Sequence, residues 1–285
     1  MKPASFDYHA PTTVDEALAL LEANGPDSRL LAGGQSLVPM MNFRLAAPPV
    51  LVDLNRIPDL AYIEDRGDVI CIGAMTRQRA VESSALVADR LPVLSAAIKL
   101  VGHLPTRSRG TIGGSIAHAD PAAELPMVLQ ALEGAVVVRG PNGRRTIAAS
   151  ELFQDAMTTS IAADEILVEV RLPVMPAGAG YAVEEFARRH GDFAIAAVTA
   201  VILREGDRCA GARIATAGIS SHSERLRAAE QVLEQHGLGD GAIARAAATA
   251  AGMVEPLADR HASAGYRRQL TQVLTERALR RAAAR

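Results

Sequence analysis

The stretch Arg29-Leu30-Leu31-Ala32-Gly33-Gly34-Gln35-Ser36-Leu37 decides how the rest of the 285-residue chain is read. A short apolar run closes in two adjacent glycines and two small polar residues, the pattern of a buried strand turning into a loop. Glycine lacks a Cβ, so another group can come against bare backbone, and successive N–H groups in such a turn can form a concave anion site. The same grammar returns in Arg109-Gly110-Thr111-Ile112-Gly113-Gly114-Ser115. Together the two loops suit one phosphate-bearing ligand held between two lobes. Taken singly, each is equally an ordinary diglycine turn.

Composition narrows the classes. The length allows two or three domains with sizeable cores. A hydrophobic share of 49% with 22% charged residues is that of a soluble globular protein. A net charge of −2 disfavours a generic nucleic-acid surface, so no nucleic-acid partner is expected. No charged and apolar leader opens the chain, and no apolar run is long enough for a membrane span; the expected location is cytoplasmic. Cys71 and Cys209 lie far apart outside any CxxC pair, as buried structural thiols would. The chain therefore carries no iron–sulfur cluster of its own.

Metal and nucleophile signals are weak. No two of the seven histidines stand at i,i+4, and there is no HExxH, GxSxG or GxxxxGK[ST] segment. No metal ligand and no catalytic side chain is nominated. No GxGxxG lies between a strand and a helix either, so a Rossmann domain is unsupported and any dinucleotide needs another fold.

In chain order, residues 1–58 read as a strand–helix–strand lobe. An extended segment at 4–10 is followed by a capping box at Thr13 and Glu16, a helix stopped at Asn24-Gly25-Pro26, and strands at 29–32 and 50–54. Residues 59–176 form a second lobe, with strands at 69–74, 135–139 and 166–172 and helices at 77–88, 91–101 and 122–132. Asp120, followed by Pro121, caps the last of these helices. A Pro/Gly-rich linker at 173–180 leads into residues 177–285, an α+β domain. Its antiparallel strands at 181–189, 194–203 and 209–217 precede a second capping box, Ser221 to Glu224, and Ala-rich helices.

The phrases around the two loops resemble a known family. Ala32-Gly33-Gly34-Gln35-Ser36-Leu37, Asn42-Phe43-Arg44-Leu45, Val52-Asp53-Leu54-Asn55-Arg56-Ile57-Pro58 and Ile72-Gly73-Ala74-Met75-Thr76-Arg77 are similar to segments of the FAD-binding medium subunits of carbon monoxide dehydrogenase and xanthine dehydrogenase, the molybdenum hydroxylases. So are Arg107 to Ser115, Ala117 to Glu124 and Arg188 to Ala194, and the overall pattern runs nearly end to end.

The resemblance implies an α+β fold: a two-lobed, non-Rossmann FAD-binding domain of PCMH type, then a small α+β domain with antiparallel sheet and helices. It implies non-covalent FAD between the lobes. Ala32, Gly33, Gly34, Gln35 and Ser36, with Leu37 beside them, and Thr111, Ile112, Gly113, Gly114 and Ser115 would wrap the diphosphate through main-chain N–H groups. Arg29 would add positive charge or stand solvated at the strand end. Glu124 would face the adenosine ribose, Leu167 would pack near the ring system, and Phe193 would lie against the isoalloxazine or serve as core. His118 would be a structural histidine or a flavin contact. Gln35 stands where several relatives carry His, which leaves redox tuning open. The implied partners are a large molybdopterin subunit and a small subunit with two [2Fe–2S] clusters, in a dimer of heterotrimers. The chain would be an oxidoreductase subunit that takes electrons from those clusters and gives them to an external acceptor. A self-sufficient FAD-dependent oxidase and a non-catalytic nucleotide-binding module remain alternatives.

Overall fold

The computed structural model describes residues 2–206 and 208–285. Its first lobe follows from one strongly signalled helix, α1 (Val14–Asn24). Thr13 caps it, its hydroxyl accepting the Glu16 N–H at 3.1 Å, and Gly25 ends it with φ +74°. The Glu16 carboxylate reaches back to the Thr12 N–H at 2.7 Å rather than to Thr13, so the box closes one residue early. Strands β1 (Asp7–His9), β2 (Arg29–Leu31) and β3 (Val50–Asp53) form a parallel sheet in the order β1-β3-β2. Between β2 and β3 runs a short helix, α2 (Leu37–Asn42), which sequence reading did not anticipate.

The second lobe is built on β4 (Ile63–Asp65), β5 (Val69–Gly73), the hairpin β6 (Ala135–Gly140) and β7 (Gly143–Ala148), and, after a two-stranded ribbon of β8 (Phe153–Asp155) and β9 (Thr158–Thr159), β10 (Ile166–Pro173). The five-stranded sheet has the order β4-β5-β10-β6-β7, antiparallel throughout.

Its helical cover departs from the periodicity. The helix expected at 77–88 breaks at Ser84, whose extended backbone and hydroxyl cap a new helix, Ala85–Arg90, through the Val87 N–H. The helix expected at 91–101 shortens to Pro92–Ala97. Two further helices were not foreseen, Leu104–Arg109 and Ile112–His118. The second diglycine is thus the first turn of a helix, not a loop. Thr111 caps that turn by accepting the Gly114 N–H at 3.0 Å, and the cap with tertiary packing overrides glycine's poor helix propensity. Asp120 does not cap the helix that follows. Its carboxylate accepts the Ala122 N–H at 2.8 Å in a turn, and the helix starts at Glu124.

The C-terminal sheet comprises β11 (Gly180–Phe186), β12 (Ala196–Glu205), β13 (Arg208–Ala217) and β14 (Glu224–Arg225), antiparallel in that order. Helices Arg227–His236, Asp240–Met253 and Ala264–Ala283 share a core with it. The expected capping box at Ser221 is absent, because Glu224 lies in β14 and the helix begins at Arg227. Helix Glu124–Ala131 is buried at all eight positions and sets Met127 and Ala131 against Ala194, Ala197, Ala215 and Ala217. Those methyl-sized side chains let the second lobe and the C-terminal sheet approach closely. Cys71 and Cys209 are free and buried, and burial pushes both thiols up in pKa. Among the described residues no helix is long and apolar enough to cross a membrane.

Candidate functional site

A cleft of about 760 Å³ runs between the first two lobes and reaches the C-terminal domain, within the size range of cofactor sites. Arg29, Ala32, Gly33, Gly34, Gln35, Ser36 and Leu37 border one side. Thr111, Gly113, Gly114, Ser115 and His118 border the other, with Glu124 and Leu167 from the second lobe. Phe193, 63% exposed, reaches the cleft from the C-terminal domain. Ile112 is the exception among the nominated residues. Its side chain is buried in the second-lobe core, and its N–H donates to the Thr76 carbonyl at 3.1 Å.

The two glycine segments do different work. Past Thr111, every N–H is already engaged: Ile112 with Thr76 O, Gly113 with Ala74 O at 2.9 Å, Gly114 with Thr111 Oγ1, and Ser115 with Thr111 O at 3.2 Å. Within the expected donor segment Thr111–Ser115, the N–H groups of Ile112 to Ser115 are thus occupied inside the protein. The segment offers surface and the Ser115 hydroxyl. From Gly33 to Leu37, by contrast, no N–H has an acceptor among the described residues. Polar backbone groups facing a cleft need partners, and an anionic ligand provides them.

The glycines also serve the protein itself. A Cβ on Gly33 would collide with the Arg109 carbonyl and come within 2.7 Å of Gly110 Cα, and one on Gly113 would lie 2.7 Å from Ala74 Cα. The first loop thus rests directly on the backbone before the second. Gly34 alone of the four has a left-handed backbone, φ +71°.

A side-chain chain that sequence reading missed ties the loops together. Asn55 Nδ2 donates to Ala32 O at 2.8 Å, Arg77 Nη2 donates to Asn55 Oδ1 at 2.6 Å, and Arg77 Nη1 donates to Arg109 O at 2.5 Å. Burial and the Arg109 charge lower the Arg77 pKa. Gln78, buried on the cleft wall, adds its N–H to Gly110 O at 2.9 Å. The polar run Asn55-Arg56 and the pair Arg77-Gln78 were the available signals, but only the fold brings them to the same spot.

Other nominated residues divide by environment. The Arg29 guanidinium is spent on the Pro26 and Ser28 carbonyls, at 2.7 and 2.9 Å. The Gln35 amide donates to Gly33 O at 3.3 Å, and the half-buried His118 ring has no hydrogen-bond partner among the described residues. Leu167 is buried beside a β-bulge in β10.

Glu124 is only 5% exposed, and burial, reinforced by the Glu185 and Asp120 carboxylates, pushes its pKa up to about 8. Because the folded value lies above the 4.5 of an ordinary glutamate, folding takes up a proton, and stability falls as pH rises from about 4.5 to about 8. In FAD-free protein, Glu124→Gln is expected to be nearly neutral at the acid end and stabilising by about 2–4 kcal/mol at the alkaline end. Thermal melts across that range check this. A stabilisation that did not grow with pH would show that the carboxyl is not held in its neutral form.

Two family profiles tile the chain. One, described as "FAD binding domain in molybdopterin dehydrogenase", matches residues 4–175, and "CO dehydrogenase flavoprotein C-terminal domain" matches residues 181–282. The chain belongs to the FAD-binding medium subunits of the molybdenum hydroxylases. It is 44% identical over 283 residues to the 6-hydroxypseudooxynicotine dehydrogenase complex subunit alpha of Paenarthrobacter nicotinovorans, covering 99% of this chain and 96% of the relative. It is 40% identical to the carbon monoxide dehydrogenase medium chain of Hydrogenophaga pseudoflava, over 100% and 99% of the two chains. A solved structure of the carbon monoxide dehydrogenase of that organism, lacking the Mo-pyranopterin moiety, superposes with a TM-score of 0.98 at 41% identity, over 100% of this chain and 99% of the other.

This medium subunit is an oxidoreductase component with an FAD-binding domain, and its cleft fits the group. The unengaged N–H groups of Gly33–Leu37 suit a diphosphate, and the single buried carboxyl of Glu124 suits a hydroxyl-bearing ligand. Among the described residues no cluster of His, Cys, Asp or Glu is arranged to hold a metal.

Proposed function

We propose that this chain is the electron-transfer flavoprotein of a three-subunit molybdenum-containing dehydrogenase. It would receive electrons from the [2Fe–2S] clusters of a small partner, downstream of a large molybdopterin subunit, and pass them to an external acceptor. The observation that carries the reading is the unengaged backbone of Gly33–Leu37 facing a cofactor-sized cleft in a chain alike end to end to such medium subunits. Bound FAD supplies the redox chemistry; the protein's part is to hold and orient it. In this reading the Gly33–Leu37 N–H groups and the Ser36 and Ser115 hydroxyls hold the diphosphate. Glu124, kept protonated, donates to or accepts from the ribose, Leu167 packs beside the ring system, and Phe193 covers one flavin face. The division into segments 1–58, 59–176 and 177–285, a cytoplasmic location and a dimer-of-heterotrimers assembly belong to the same proposal.

Substrate choice lies elsewhere. Relatives named for substrates as unlike as carbon monoxide and 6-hydroxypseudooxynicotine resemble this chain to nearly the same degree. The isolated chain is expected to carry FAD that acid releases, to bleach with dithionite, and to ignore organic substrates. Adding both partner subunits is expected to restore substrate-dependent flavin reduction in anaerobic stopped-flow experiments. Rapid reduction by an organic substrate without partners would favour the self-sufficient oxidase, and a colourless chain would favour the nucleotide-binding module.

A further inference from the structure

Helix α2 has two faces. Leu37 and Met40 line the cleft, while Val38 points outward and is 41% exposed. Just past the helix, Phe43 is 66% and Leu45 is 75% exposed, the two most exposed large hydrophobics in a short stretch. Between them Arg44 sits at φ +57°, a left-handed backbone that is costly for an L residue. The turn is held by Arg44 N–H to Met41 O at 3.0 Å and Leu45 N–H to Met40 O at 2.9 Å. A strained turn thus holds an aromatic and an aliphatic side chain out in water, which needs a reason beyond folding.

Arginines outnumber carboxylates around this patch. No Asp or Glu occurs from Ser28 to Val52. A second cavity of about 350 Å³ opens on the outer side of the first loop, bordered by Val38, Asn42, Asn55, Arg109 and Asp53, whose carboxylate is already engaged by the Tyr8 hydroxyl and the Asn55 N–H. Arg44 and Arg56 follow its lining residues Asn42 and Asn55 closely in sequence. The guanidinium groups of Arg44, Arg56 and Arg109 have no carboxylate partner among the described residues. Exposed apolar side chains flanking the unpaired Arg44 complement a partner face of apolar residues that carries carboxylates. Because α2 also lines the cleft through Leu37 and Met40, a partner seated on its outer face would have only this helix between it and the cleft.

We propose that the outer face of α2 with the Phe43–Leu45 turn is the docking surface for the electron-delivering iron–sulfur partner, whose carboxylates meet the exposed Arg44. This rests on the flavoprotein-subunit reading above. The test measures binding of the purified, FAD-loaded chain to its iron–sulfur subunit for Phe43→Ser, Arg44→Glu and Arg44→Gly, with flavin content and thermal stability measured on each. Phe43→Ser and Arg44→Glu are expected to weaken binding by roughly 10- to 30-fold with flavin content unchanged, and the Arg44→Glu loss is expected to shrink at high salt. Arg44→Gly is expected to weaken binding while raising the melting temperature, a combination that a purely structural residue would not give. Leu257→Ser, exposed on the C-terminal domain, serves as the unaffected control.

Retained flavin with undiminished partner affinity in Phe43→Ser and Arg44→Glu would overturn the docking proposal alone. So would loss of self-association of the isolated chain with partner affinity intact, which would assign the face to a second copy. A wild-type chain that carries no flavin or binds no iron–sulfur subunit would overturn the functional reading and this proposal with it.

Discussion

Gly33→Val is expected to purify with little or no FAD and to lose about 3 kcal/mol of stability. A Cβ at this position meets only backbone, the Arg109 carbonyl and Gly110 Cα, so no side-chain rotation relieves it. The first loop must lift off the second lobe, and the hydrogen-bond chain Ala32–Asn55–Arg77–Arg109 lengthens or breaks with it. The same motion takes the free N–H groups of Gly33–Leu37 away from the cleft. Gly34→Ala separates sterics from conformation: its φ of +71° costs the new side chain about 1–2 kcal/mol, while the nearest atom is a Val38 methyl that can shift. That variant is expected to keep a substantial share of its flavin. Glu64→Ala, on exposed strand β4, is the control and is expected to stay within about 0.5 kcal/mol. Flavin-to-protein ratios and thermal melts check all three. Full flavin occupancy in Gly33→Val would show that the contact between the loops is dispensable.

Arg225→Met is expected to cost about 3–5 kcal/mol and to lower the melting temperature by on the order of 10 °C. Arg225 is the centre of a nearly buried ion-pair network. Its guanidinium grips Glu230 at 2.7 and 3.0 Å and pairs with Glu133, which also receives Arg213 at 3.0 Å and Arg227 at 3.3 Å. Removing it leaves Glu230, 3% exposed, as an unpaired buried carboxylate. Burial alone would raise the Glu133 pKa, but Arg225 and its two neighbours outweigh that and hold it low.

Glu133 lies just beyond helix Glu124–Ala131, whose first residue faces the cleft. The network therefore ties one end of a cleft-wall helix to the C-terminal domain that presents Phe193. Adding Glu230→Gln, which still accepts the Ile214 N–H, is expected to recover a large part of the loss. Equal melts for the single and double variants would show that the unpaired charge is not what destabilises the protein.

Legibility differed from element to element. Helix α1 was readable because its cap, its apolar spacing and its stop all lie within a dozen residues. The C-terminal strands were readable from short apolar runs, and β14 was not, because two residues carry no period and Ser221 to Glu224 imitates a helix start. The helix at Ile112–His118 was hidden by its own glycines. A Cβ on Gly113 would collide with Ala74, a condition no local window contains, whereas one on Gly114 would meet the capping Thr111 hydroxyl at 2.7 Å.

The sequence by itself marked the two diglycine segments that border the cleft, the absence of Rossmann and metal motifs, and enough of the strands and helices to give the α+β class. These are encoded by neighbours a few residues apart, through periodicity, caps and glycine pairs. Which loop keeps its N–H groups free was settled only in three dimensions: those past Gly110 are taken by Thr76, Ala74 and Thr111, and those after Ala32 are not. The Asn55–Arg77 clamp, the neutral Glu124 and the Arg225 network likewise depend on chain segments far apart in sequence. A hydrogen bond's partner and a carboxyl's loss of water are properties of the packed neighbourhood, and that neighbourhood exists only once the lobes have closed on one another.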